Sequence, residues 1–203
     1  MGDSKLCVVG IDPGLDGGIA LIVLGKLGEV GELWVQPMPT KPAGTTASGR
    51  KSREVDCTAL AQWIDTTESL VDCKIQRVAV ELVHAMPKQG VTSMFNFGKA
   101  YGSVLGVLGA LRHPVLHVTP QIWKKSILDG LGRDKNDSIR FAMSLFPKET
   151  FLASPACRVP HDGMAEATCL AEYARREVLG YVGHAQKLGG RSKKLLAPDS
   201  VQV

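Results

Sequence analysis

The sequence predicts an α/β protein, a five-stranded mixed sheet covered by helices on both faces. Three observations lead there. Short apolar, β-branched runs stand at 6–11, 18–24, 31–36, 75–81 and 115–118. Helix-periodic stretches separate or follow the later runs. Only a Gly/Pro/Asp turn joins the first two runs, which makes them an antiparallel hairpin, whereas the later strands need crossovers. With 203 residues, 44% of them hydrophobic, the chain can bury one sizeable core.

Taken in order, LCVVGI (6–11) and GIALIVL (18–24) form the central hairpin, and GELWVQ (31–36) can pair beside them. PMPTKPAGTTASGRKSR (37–53) combines prolines, small polar residues and the cations Lys41, Arg50, Lys51 and Arg53, and reads as a flexible loop. Asp56 can cap a helix over 57–71, with Leu60, Trp63, Ile64 and Val71 near one face. IQRVAVE (75–81) is a strand that stops at Glu81.

A long helix follows over 91–112 despite Gly98, Gly102, Gly106 and Gly109, each costing up to about 1 kcal/mol relative to alanine. The first three share one face. Close packing of that face on the sheet is the expectation, and a contact between subunits is the rival. Pro114 ends the helix, VLHV (115–118) is the last strand, and helices follow at 121–128 and 136–146, the second opened by Asp134 or Asn136. A loop with Pro147, Pro155 and Pro160 leads to a final helix beginning near Asp162. One globular domain over 1–182 and a basic, flexible tail over 183–203 are expected.

Composition narrows the function classes. A net charge of +4 and a pI near 8.8 suit a polyanionic partner without requiring one. The five cysteines are odd in number and lack a C-x-x-C pair, which argues against a disulfide framework or a zinc site and favours a reducing, intracellular setting. No apolar run is long enough for a membrane-spanning helix.

Four acids share a pattern. Asp12 ends the first strand, Glu81 ends the fourth, and Asp162 and Glu166 open the last helix, where positions i and i+4 lie on one face. Like charges so placed repel unless a cation bridges them or one takes a proton. An exposed helix start, with Asp162 as a cap, is the plain alternative. Against it stand Met164, Ala165, Ala167, Cys169 and Leu170, which mark a helix partly buried at its start. Hard oxygen donors with one adjacent imidazole, His161, favour Mg²⁺ or Mn²⁺ over zinc. Carboxylates holding two such ions suit phosphodiester hydrolysis, so the expected substrate is a nucleic acid. Phosphate contacts are expected from the loop cations, from Lys88, from Lys124, Lys125, Arg133, Lys135 and Arg140, and from the tail. Asp16 reads as a turn residue rather than a ligand.

GIDPGLDGGIAL, VAVELVHAMPKQGVTSMFNFGKAYGSVLGVL, VTPQIWKK and HDGMAEATCLAEY occur in this order between about Leu6 and Tyr173. With these blocks the sequence resembles the RuvC-type Holliday junction resolvases of the ribonuclease H-like superfamily, and more closely their phage-borne and plastid-type branch. The resemblance implies a ribonuclease H-like fold and a homodimeric, Mg²⁺-dependent endonuclease that nicks a four-way DNA junction symmetrically, with two ions per site and 5′-phosphate products. It implies metal-binding and catalytic roles for Asp12, Glu81, Asp162 and Glu166. Lys124 and Lys135 match basic positions near the scissile phosphate. His84 stands where bacterial members carry a stacking Phe, which implies a DNA contact there, beside the contacts that the basic clusters suggest at Lys88, Lys51, Arg53 and Lys125. The last two acids are four residues apart here and three apart in bacterial members, which leaves open whether Glu166 binds metal directly. His161 is left between ligand and proton shuttle. An intracellular, DNA-associated location follows: bacterial or phage-infected cytoplasm, or an organelle nucleoid. Alternatives are a ribonuclease H-like nuclease acting on other branched DNA or RNA:DNA hybrids, an actin-like ATPase suggested by DPGLDGG, and a junction-binding protein without catalysis.

Overall fold

A computed structural model describes residues 4–45, 49, 51–82, 84, 90–130 and 135–180. Strands β1 (Lys5–Asp12), β2 (Gly18–Leu24) and β3 (Val30–Pro37) come first, then a second hairpin, β4 (Thr40–Thr45) and β5 (Lys51–Val55). Helix α1 (Cys57–Val71), β6 (Cys73–Glu81), α2 (Val91–Ala110) and β7 (Val115–Val118) follow, and the helices α3 (Pro120–Ile127), α4 (Lys135–Leu145) and α5 (Asp162–Val178) complete the order.

The main sheet has five strands in the order β3-β2-β1-β6-β7. β1, β2 and β3 are antiparallel to their neighbours in turn, while β6 lies parallel to β1 and β7 parallel to β6. This is the mixed sheet the sequence predicts. Its two faces bury different sets of side chains, as the two-residue period of a strand dictates. Cys7, Val9 and Ile11 of β1, with Ile19, Leu21 and Val23 of β2, pack under α1 and α2. Val8, Ala20, Ile22 and Leu24 pack under α3, α4 and α5. A strand covered on both faces has no polar alternate positions, so β2 is buried along its whole length.

Asp56 caps α1 as expected, its carboxylate accepting the Ala59 N–H at 3.1 Å. Leu60, Ile64 and Val71 of that helix are buried, and Trp63 packs at the margin of the same core. Among the described residues all five cysteines are free thiols. No described helix is long and apolar enough to cross a membrane.

Two expectations are corrected. Residues 37–53 are not one loop: 40–45 and 51–55 pair as an antiparallel two-stranded sheet, with Thr40 opposite Val55 and Lys41 opposite Glu54. Pro42 is tolerated because the ribbon is all edge, and Lys99 of α2 holds it through an ion pair to Glu54. The glycine face of α2 does not pack on the sheet. A side chain added at Gly98, Gly102, Gly106 or Gly109 would meet nothing within 4 Å, and the helix faces its core with Ala100, Val104, Val107 and Leu108 instead. The helix also ends at Ala110, two residues early, and α4 begins at Lys135, while Asp134 and the tail 183–203 lie outside the described residues.

Candidate active site

The β1–β6 pairing decides where the first two acids go. Ile11 is level with Val80 in this parallel pair, so Asp12 and Glu81, each one residue further on, leave the same edge of the sheet. Pro13 and Gly14 turn the chain away at once. The Gly14 N–H donates to Asp12 Oδ1 at 3.1 Å, and the Gly17 N–H closes the turn onto the Gly14 carbonyl at 2.9 Å. Asp12 is thus fixed by its own turn.

Helix α5 brings the other two. Its cap is His161, whose Nδ1 accepts the Met164 N–H at 3.3 Å, so Asp162 is released from capping and begins the helix. The helix lies against bare strand backbone. A Cβ on Gly10 would sit 2.1 Å from the Ala167 carbonyl oxygen and from the Ala171 nitrogen, and one on Gly163 would sit 2.3 Å from the Asp16 carbonyl oxygen. Only glycine at these positions allows so close an approach. Asp162 and Glu166 therefore reach the end of β1.

The result is a cleft of about 510 Å³ lined by Asp12, Asp162 and Glu166, with Ser93, Asn96 and Phe97 of α2 on the opposite wall. Glu81 lies beside it, half-buried, its Oε1 accepting the Trp123 indole N–H at 2.9 Å. Lys124 Nζ donates to Glu166 Oε1 at 2.8 Å and stands 5.1 Å from the Trp123 ring centre. Adjacent residues of α3 thus each hold one acid.

Charge crowding shapes the titration. Burial, and then the charge of Glu81, push Asp12 up to about 7; Glu166 and Asp162 add to the rise, and the Gly14 N–H opposes it. Glu81 is also raised, by burial first, with Glu166 adding while the Trp123 hydrogen bond and Lys124 pull it back. Four carboxylates without a thiol are a donor set that fits a hard divalent cation, which would relieve this repulsion. Among the described residues no three His, Cys, Asp or Glu side chains already enclose one point.

The remaining sequence-predicted residues do not line this cleft where they are described. Lys51 and Arg53 lie exposed on β5, where Arg53 Nη2 donates to Asp16 Oδ1 at 2.6 Å and ties the second hairpin to the Asp12 turn. Asp16 is a turn residue, as expected. His84 and Lys125 are exposed. Lys124 is largely enclosed by its ion pair with Glu166 rather than standing on an open surface. Lys88 and the side chain of Lys135 lie outside the described residues. Sequence reasoning missed Trp123, although its place one residue before a predicted phosphate contact was a signal.

No family model matches the sequence, and no curated protein does. Solved structures do match. The chain is similar to Thermus thermophilus RuvC in complex with Holliday junction substrate, at 19% identity and a TM-score of 0.53, over 87% of this chain and 97% of that one. It is also similar to the yeast mitochondrial Holliday junction resolvase Ydc2, at 13% identity and a TM-score of 0.51, over 89% of this chain and 82% of that one. At such identities the likeness speaks of architecture: the chain has the RuvC-type, ribonuclease H-like fold.

Proposed function

We propose that this chain is a divalent-metal-dependent endonuclease that resolves four-way DNA junctions by paired, symmetric nicks. The observation that carries the reading is the cleft in which Asp12, Asp162 and Glu166 meet at a sheet edge, beside Glu81. That the similar structures are of junction resolvases, one with its junction substrate, supports the choice of DNA.

In this reading Asp12, Glu81, Asp162 and Glu166 hold Mg²⁺, with Mn²⁺ as a substitute and two ions per site. When bound, such ions activate water and stabilise the leaving oxygen in phosphodiester hydrolysis, giving 5′-phosphate and 3′-hydroxyl ends. The chain's own residues do the rest. The Gly14 N–H and the Trp123 indole hold Asp12 and Glu81 each by one oxygen, which fixes how the carboxylates present themselves. Lys124 neutralises Glu166 in the free protein and stands ready to share its charge with a phosphate drawn into the cleft. Lys135 is a second candidate for that charge. Lys51, Arg53, His84, Lys88 and Lys125 serve as contacts to the DNA backbone, which set register without reading bases.

Paired nicks need two sites related by symmetry, and thus a homodimer. With packing on the sheet ruled out, the other role of the α2 glycines, a subunit contact, gains weight. Val91, Phe95, Gly98, Gly102, Gly106 and Gly109 form one exposed stripe along that helix, with Val91 84% and Phe95 70% exposed.

The test is cleavage of a labelled four-way junction, a linear duplex and an RNA:DNA hybrid in Mg²⁺, beside the Asp162→Asn variant. Symmetric nicks in the junction alone, lost in the variant while binding survives, are expected. Equal cutting of the duplex or the hybrid would overturn structure specificity, and unchanged cutting by the variant would overturn the site.

A further inference from the structure

Trp123 is fully buried and is among the largest side chains so enclosed. Its ring belongs to the core beneath α5, where an aliphatic side chain could also pack. What an aliphatic side chain lacks is the one polar atom, and that atom is spent on Glu81 Oε1 at 2.9 Å. A buried indole N–H needs an acceptor, and a backbone carbonyl would serve as well. Here the acceptor is a carboxylate of the candidate metal site.

The surroundings make that contact stiff. Glu81 pairs with Val118 at the end of β7, and α3 starts two residues later with the Trp123 backbone N–H donating to the Thr119 carbonyl at 3.2 Å, so the donor and acceptor are joined by a short path. The Arg176 Nη1 of α5 donates to the Ser126 carbonyl at 2.8 Å and locks α3 in turn. The indole has neither space to rotate nor a second protonation state. Glu81 Oε1 is therefore held and its rotation limited, with Oε2 outside this bond.

We propose that Trp123 is a positioning residue for divalent metal, its indole N–H fixing one oxygen of Glu81 so that the carboxylate meets the ion in a single orientation. This rests on the metal-dependent reading of the site, not on the identity of the DNA substrate. Partners of metal ligands that act in this way change metal affinity by about 10- to 100-fold when lost.

The experiment is Mn²⁺ binding by the full chain, followed by calorimetry and Mn²⁺ paramagnetic resonance without DNA. Trp123→Phe keeps a buried aromatic ring and removes the N–H; replacement of Trp123 by the sulfur isostere 3-benzothienylalanine removes the N–H with almost no change of shape. The expected result is a dissociation constant raised about 10- to 100-fold in both, with junction binding in chelator unchanged. Affinity within twofold of the parent in the isostere overturns the proposal. If Trp123→Phe fails to fold, the isostere and the parent decide it. In the ¹⁵N spectrum of the parent, the indole resonance of Trp123, assigned with Trp34→Phe and Trp63→Phe, is expected to shift on Mg²⁺ addition, and a resonance unmoved at saturation overturns the proposal. Because metal binding is read without DNA, failure of the junction assay and failure of this inference are separate results.

Discussion

Helices α5 and α2 cover opposite faces of the sheet, and glycine is used at both in opposite ways. At α5 the glycines lie in the contact: Gly10 and Gly163 let helix and strand backbones touch, and the helix start with its two acids comes down onto Asp12. At α2 the glycines point outward and the contact is made by Ala100, Val104 and Leu108. A missing side chain records that something comes close, or that nothing does. Only the position of the partner tells which.

This contrast can be broken most sharply at the acids. Asp162→Asn on α5 is expected to lower the junction cleavage rate about 10³-fold, the equivalent of about 4 kcal/mol of lost transition-state stabilisation, with junction binding retained. Asn96→Ala on the α2 wall of the same cleft is expected to change cleavage far less, and single-turnover kinetics measure both.

Next in size is the packing itself. Gly10→Val drives a branched side chain into the α5 backbone and is expected to cost about 3 kcal/mol or more in denaturant unfolding. Gly106→Val meets nothing and is expected to stay within about 1 kcal/mol of the parent. Equal losses in the two would erase the distinction between the helices.

A pH series sharpens the α5 side alone. Asp12 titrates near 7 in the fold against 3.8 as an ordinary carboxyl, so the folded state binds the extra proton between those values. Stability of the chelator-treated protein therefore falls as pH rises from about 4 to 7, by up to about 1.4 kcal/mol per unit, and levels off above. Mn²⁺ affinity runs the other way, rising up to about tenfold per unit below pH 7, because the ion competes with that proton. Thermal melts and Mn²⁺ titrations from pH 5 to 8.5 check both signs.

The smallest effect belongs to the open face. Gly102→Ala is expected to stabilise dilute protein by about 0.5–1 kcal/mol, through helix propensity alone. Gly102→Leu, which also meets nothing in its own chain, is expected to weaken self-association in sedimentation if the stripe is a subunit contact. A dimer unchanged by it would place that contact elsewhere.

The sheet was legible because β1, β2 and the end of β6 carry apolar, β-branched runs, and the acids were legible because Asp12 and Glu81 end such runs while Asp162 and Glu166 open a helix of small and apolar residues. The β4–β5 hairpin was not. Its prolines and small polar residues are turn-forming by themselves, and what orders them is the ion pairs of Glu54 with Lys99 and of Arg53 with Asp16, distant in sequence. The α2 face was misread for a similar reason, since helical spacing shows which residues share a stripe and not what lies above it. His161 as cap is a local bond to Met164 three residues on, made by a residue type other than the usual caps, whereas Trp123 as donor to Glu81 is a contact between elements 42 residues apart.

The intimate seating of α5 also sets a calendar for the molecule. Every strand of the main sheet is synthesised by Val118, whereas the helix that covers Gly10 runs from Asp162 to Val178. Until then the trough over β1 is bare, and Asp12 and Glu81 face no second pair of acids. A growing chain thus carries two of the four acids without the other two for some 60 residues of synthesis, about 3–12 s at common elongation rates. The four-acid site can therefore assemble only after α5 has been made, well after the sheet that anchors its first half.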